Sequence, residues 1–233
     1  MNKKIVITGA TKGIGRAIAE KFAAQGFDIA LCARSEKDLA EFKSILQTAT
    51  NKILAIKCDA SKKDELKSFA DKVLMEFGAI DILVNNAGVF LPGQVFKEEE
   101  GTLEHLIETN LYSAYYLSRW LLKDMIAKKK GHIFNMCSVA SLKAYRDGGS
   151  YSISKFAMLG LSKALREELK PYNIKVTSLL PGATLTDSWK GTDQPDSRFM
   201  KAEDVANIVW DIYNLSENTV VEEIVLRPLL GDL

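Results

Sequence analysis

The chain has 233 residues, 47% hydrophobic and 26% charged, enough to bury a core without staples and too apolar to stay disordered. Lys and Arg number 31 against 30 Asp and Glu, a net charge of +1, which argues against a dedicated nucleic-acid binder. Three cysteines and two scattered histidines, His105 and His132, exclude a secreted disulfide scaffold and the usual zinc site, and point to a reducing, cytoplasmic setting.

The basic start Met1–Lys4 runs into only three apolar residues, Ile5–Ile7, too few for a signal-peptide core. No stretch reaches the ~20 apolar residues of a membrane helix, so no membrane partner is expected. Lys3–Thr8 reads as the first strand and Gly13–Gln25 as a helix with Ile14, Ile18 and Phe22 on one face. Asp28–Ala33 is a second strand. Ser35 then caps a helix to about Thr48, with Asp38 three residues on. Ile53–Lys57 is a third strand, and Ser61 is expected to cap a helix through Phe77 that Gly78 ends. Ile80–Asn85, Ile133–Cys137, Ile174–Leu180 and Val220–Leu226 continue the strands. Long helices are predicted over Thr102–Lys128 and Ser150–Lys170, and a last one over Ala202–Leu215. Leu106, Ile107, Leu111, Tyr115, Leu117, Leu121 and Leu122 make the first long helix apolar beyond one stripe, as if it faced both the sheet and a second subunit.

This alternation predicts an α/β fold: one doubly wound Rossmann-type domain spanning 1–233, a mostly or wholly parallel sheet of about seven strands, and helices on both faces. Gly182–Met200 lacks periodicity, so a substrate lid is expected around 183–200.

Gly9, Gly13 and Gly15 stand between the first strand and the first helix, with Thr11, Lys12 and Ile14 among them. Such a turn brings backbone N–H groups and a positive helix end to a pyrophosphate. Arg34 ends strand two, about twenty residues on, where a carboxylate would select NAD and a cation suits a 2′-phosphate. With Lys12 as a second cation, the expected cofactor is NADP(H). Asp59 fits either an acceptor for the adenine amino group or a turn cap. Asn85, Asn86, Ala87 and Gly88 follow strand four at the edge where ligands bind.

Tyr151 and Lys155 lie four apart on one helix, hence on one face. An ammonium beside a phenol favours the phenolate, because unit charges ~4 Å apart at a dielectric of ~20 attract by ~4 kcal/mol. Ser138 ends strand five, where its hydroxyl can meet the same substrate oxygen.

Thr8–Gly15, Asn85–Gly88, Asn110, Ser138, Tyr151–Lys155 and Pro181-Gly182 together resemble the short-chain dehydrogenase/reductase family over nearly the whole chain. The resemblance implies a Ser138–Tyr151–Lys155 catalytic set, Asn110 positioning a water for proton relay, and Thr186 binding the nicotinamide carboxamide. Pro181, Gly182 and Thr184 join the cofactor contacts on the same ground. It also implies a homodimer or homotetramer. Ala140, Tyr145, Trp189 and Phe199 either line a substrate site or pack the lid. Ser138-Val139-Ala140, Lys143–Arg146 and the ending Val221–Pro228 look like bacterial sepiapterin-reductase-type members. The general outline also looks like 3-oxoacyl-(acyl-carrier-protein) reductases. A pterin side-chain ketone or small diketone is the favoured substrate, and a non-catalytic NADP(H)-binding sensor is the reading from another class.

Overall fold

The computed structural model describes residues 2–189 and 191–232; Met1 of the basic start, Lys190 of the expected lid and Leu233 lie outside the described residues. Strands β1 (Lys4–Thr8), β2 (Asp28–Ala33), β3 (Ile53–Lys57), β4 (Ile82–Asn85), β5 (Gly131–Met136), β6 (Ile174–Pro181) and β7 (Glu223–Leu226) form one sheet. Its order is β3-β2-β1-β4-β5-β6-β7, and every neighbouring pair is parallel. The helices are α1 (Gly13–Ala23), α2 (Glu36–Leu46), α3 (Lys63–Phe77), α4 (Thr102–Ile107), α5 (Ser113–Lys128), α6 (Gly149–Leu169) and α7 (Ala202–Tyr213).

Alternate residues of a strand point to opposite faces. Ile5 and Ile7 of β1 therefore pack with Ile18 and Phe22 of α1, Phe42 of α2 and Val205 and Val209 of α7. Val6, between them, packs on the other side with Leu66 and Phe69 of α3, Leu117 and Leu121 of α5 and Leu165 of α6. Both faces are covered, as a parallel sheet requires. Each fully buried Phe, Leu or Ile contributes roughly 1.5–3 kcal/mol. The strand order reverses beside β1, which opens a crevice at the carboxyl ends of β1 and β4.

Two local expectations are corrected. Ser35 caps α2, its Oγ accepting from Asp38 N at 3.2 Å, but Ser61 does not cap α3. That helix starts at Lys63, while Ser61 N and Oγ both donate to Asp59 Oδ1 at 3.0 and 2.8 Å. The carboxylate, a better acceptor than a hydroxyl, takes over the turn. The long helix over 102–128 is also not uniform. A π turn at Glu108–Tyr112 separates α4 from α5. Among the described residues no helix is long and apolar enough to cross a membrane, and no cluster of three or more His, Cys, Asp and Glu side chains could hold a metal ion.

Candidate active site

The turn after β1 is held from two sides. Gly9, at φ 65°, donates its N–H to Cys32 O of β2 at 2.9 Å. Just past β4, Asn86 Nδ2 donates to Thr8 O and Gly9 O at 2.9 and 3.0 Å. In return Thr8 Oγ1 accepts from Asn86 N and Ala87 N at 3.1 and 2.9 Å. A Cβ at Gly15 would run into the Asn86 amide and Gly9 O, so only glycine fits there. Gly13 has φ 54°, and a Cβ on it would meet Thr186 Cγ2 at 2.9 Å, which places Thr186 against the turn. Helix α1 has no acidic residue in its first turn and no side-chain cap, leaving its amide end to an anion. The narrow turn, with glycine required at 9, 13 and 15, fits a dinucleotide pyrophosphate. Thr8 is the clamp that sequence reading passed over; a hydroxyl closing a strand just before a glycine turn was the available signal.

Arg34 is exposed beyond β2, and its charge reaches Asp59. Burial alone would raise the Asp59 carboxyl. The hydrogen bonds from Ser61 and the charges of Arg34 and Lys62 outweigh it and hold the group below its ordinary value. Lys12 lies 3.8 Å from Asp38 and 3.4 Å from Asp187, so the second cation has two acidic neighbours.

Where β4 and β5 end, the structure gathers the residues expected to carry chemistry. Lys155 is 5% exposed, and its Nζ donates to Met136 O at 2.9 Å. The same Nζ lies 5.8 Å from the centre of the Tyr151 ring. Gly88 adjoins both Lys155 and Asn110: a Cβ there would stand 3.5 Å from Lys155 Nζ and 3.2 Å from Asn110 Oδ1. Asn110 sits in the π turn, a distortion frequent at functional sites. Its Oδ1 accepts from Val89 N at 2.8 Å, and its Nδ2 donates to Val89 O at 3.0 Å and Ser154 Oγ at 2.9 Å. Ser154 Oγ passes the chain on to Tyr151 O at 2.7 Å. Ser138 Oγ accepts from Ala140 N at 3.1 Å, and Ser141 Oγ accepts from Ser138 N at 3.1 Å. With its acceptor side engaged, the Ser138 hydroxyl keeps its proton for another oxygen. Next to it, burial pushes the Cys137 thiol up to about 11 against the pull of Lys155, so it stays neutral. Phe90, which sequence reading did not single out, sets its ring edge-on to Tyr151 at 4.9 Å.

The expected substrate residues divide. Tyr145 is half-exposed; burial and the neighbouring Tyr151 push its phenol well above the ordinary value. It lines a cavity of about 860 Å³ with Phe96, Arg146, Ile153 and Phe156. Ala140 is fully buried in the turn below Ser138. Trp189 and Phe199 pack on each other at 5.2 Å, with Phe199 8% exposed. Thr184 is buried and donates to Gly182 O at 3.1 Å. Pro181 ends β6 opposite Leu226, and Gly182 N donates to Leu226 O at 2.8 Å. Leu185 N and Met200 N donate to Met200 O and Ala183 O at 2.9 and 3.0 Å, so the segment is tied at its base.

Known proteins are similar to this chain in sequence and in fold. The sepiapterin reductase of Chlorobaculum tepidum is 35% identical over 241 residues, covering 100% of this chain and 99% of that protein. A 3-oxoacyl-(acyl-carrier-protein) reductase of Staphylococcus epidermidis is 30% identical over 222 residues, covering 90% of each. The structure of an alcohol dehydrogenase from the archaeon Thermococcus sibiricus, complexed with 5-hydroxy-NADP, matches with a TM-score of 0.91 at 28% identity, covering 100% and 99%. Further structural neighbours were also solved with NADP or NADPH. Residues 3–197 match the family described as short chain dehydrogenase. The chain therefore belongs to the short-chain dehydrogenase family and is an oxidoreductase.

Proposed function

We propose that this oxidoreductase uses NADP(H) to interconvert a ketone and an alcohol in a cytoplasmic, single-domain enzyme. The observation that carries the reading is the convergence of Lys155, Tyr151, Asn110 and Gly88 beside the end of β5, with Ser138 two residues past the carbonyl that Lys155 holds. The glycine turn, with Ile14 and Thr11, would take the pyrophosphate. Arg34 and Lys12 would take the 2′-phosphate, Asp59 the adenine, and Asn86–Gly88, Pro181, Gly182, Thr184 and Thr186 the nicotinamide end. NADPH supplies the hydride when bound. Tyr151 gives a proton to the carbonyl oxygen, and Ser138 donates a hydrogen bond to the same atom as charge develops on it. Lys155 supports the phenolate left on Tyr151 and would hold the nicotinamide ribose. Asn110 positions a water for proton resupply.

A pterin side-chain ketone or a small diketone is the substrate we favour, on the end-to-end similarity to a sepiapterin reductase. An acyl thioester on a carrier protein is the second reading, favoured by the 3-oxoacyl reductase relative. The exposed rings of Tyr112, at the end of the π turn, and Tyr115, on α5, and the exposed Ile153 and Phe156 on α6 support a homodimer or homotetramer. The test is NADPH oxidation across sepiapterin, diketones and acetoacetyl thioesters, with wild type and Tyr151→Phe. The variant is expected to bind NADPH but lose ~10²–10⁴-fold in turnover. Near-normal turnover in Tyr151→Phe would refute the assignment, and coenzyme binding with no turnover on any carbonyl would favour a sensor.

A further inference from the structure

Helix α6 carries Tyr151 and Lys155, yet it has no cap of its own. Its cap residue is Gly148, which makes no side-chain bond, and its first turn contains no acid. The first amides of a helix need acceptors from somewhere. Here one of them finds its acceptor in a distant segment. Glu98 Oε1 accepts from Ser150 N at 2.9 Å, and Glu98 Oε2 accepts from Ser150 Oγ. Both carboxylate oxygens are spent on the residue immediately before Tyr151, at the end of the helix that favours negative charge.

The room for this carboxylate is built by glycines on both sides. A Cβ at Gly149 would overlap Glu98 Oε1, and one at Gly93 would meet Glu98 Cγ at 2.8 Å. The same segment is pinned twice more: Gly93 N donates to Asp147 O, and Gln94 Nε2 to Asp147 Oδ1, each at 2.9 Å. A few residues earlier in the chain, Phe90 holds the Tyr151 ring edge-on. Residues 90–98 thus grip Tyr151 by its ring and by the backbone just ahead of it.

We infer that Glu98 is a positioning residue for Tyr151, setting the start of α6 so that the phenol meets the substrate oxygen. The inference rests on Tyr151 being the proton donor. Glu98→Ala is expected to lower kcat roughly ten- to hundredfold on the best carbonyl of the panel, with the Kd for NADPH, read by coenzyme fluorescence, unchanged. Glu98→Gln, which keeps an acceptor for Ser150 N–H, should recover most of that loss. In a Tyr151→Phe background Glu98→Ala should change turnover by less than about twofold, because the group it positions is gone. Wild-type kcat in Glu98→Ala, an equal further loss in both backgrounds, or no recovery with Gln would each overturn the inference. Should Glu98→Ala not fold, Gly93→Ala, whose methyl displaces the Glu98 side chain, takes its place with the same outcomes. Near-normal turnover in Tyr151→Phe would instead overturn the reading of Tyr151 itself.

Discussion

Lys155 Nζ donates to Met136 O at 2.9 Å, which fixes the second turn of α6 to the last residue of β5. One ammonium thus anchors a helix to a strand end and stands 5.8 Å from the Tyr151 ring centre. Lys155→Met should fail in both respects. It leaves a buried carbonyl unpaired, at about 1–3 kcal/mol, and lowers Tm by several degrees. Turnover should fall roughly a hundredfold or more. Calorimetry and steady-state kinetics on one preparation check both; unchanged Tm would show that the Met136 bond contributes nothing.

Gly15→Ala tests the turn. Its methyl group is forced onto the Asn86 amide and Gly9 O, an overpacking of about 1–3 kcal/mol. NADPH Kd should rise roughly ten- to a hundredfold while the far side of the sheet stays folded. Isothermal titration gives the answer, and a wild-type Kd would mean that the turn does not hold the coenzyme.

Arg34 and Lys12 are unequal. Lys12 lies between Asp38 and Asp187, whereas Arg34 is exposed and its charge reaches Asp59. Arg34→Ala should therefore raise the KM for NADPH more than Lys12→Ala does, and leave that for NADH nearly unchanged. The difference should shrink as salt screens the 2′-phosphate. A larger effect from Lys12→Ala would reverse the assignment.

His132 is 3% exposed, and burial, helped by Lys175, lowers its pKa to about 3. Thr177 Oγ1 gives its proton to Val221 O at 2.7 Å, so His132 Nε2 must donate to Thr177 Oγ1, at 2.8 Å. The folded value lies below the unfolded ~6.5. Below that pH the unfolded chain binds the extra proton, so this contribution is full above ~6.5 and lost as pH falls toward 3. Urea midpoints at pH 7 and pH 4.5 should differ markedly in wild type and much less in His132→Gln. Equal differences in both proteins would exonerate the histidine.

Much of this was legible in the chain. β2 and β3 fall on the predicted residues because Asp28–Ala33 and Ile53–Lys57 are apolar runs bounded by polar turns. A mostly or wholly parallel sheet of about seven strands followed from alternation and handedness, and all seven strands pair in parallel. Lys155 and Tyr151 share a face because spacing of four on a helix leaves no other choice. What could not be read were contacts made across the fold. Thr8 with Asn86, Phe90 with Tyr151 and Glu98 with Ser150 pair residues far apart in sequence, and no periodicity announces them. Ser61 misled because hydroxyl and carboxylate compete for one turn, and the stronger acceptor stood two residues earlier. β7 begins at Glu223 rather than Val220: Val221 O accepts from the Thr177 hydroxyl, and the ladder with β6 starts at Ser178 opposite Glu223.

The π turn has a mechanical corollary. It holds one residue more than an α-helical path would, so α4 and α5 are two phases of one rod, offset by about 100°. Removing a single residue from 108–112 would leave a flawless-looking helix with its upstream half rotated. Leu106, now wholly enclosed, would swing off its seat. Asn110 would lose its hold on Val89 and Ser154 together. A perfectly regular rod is the one shape this stretch cannot take without unseating both.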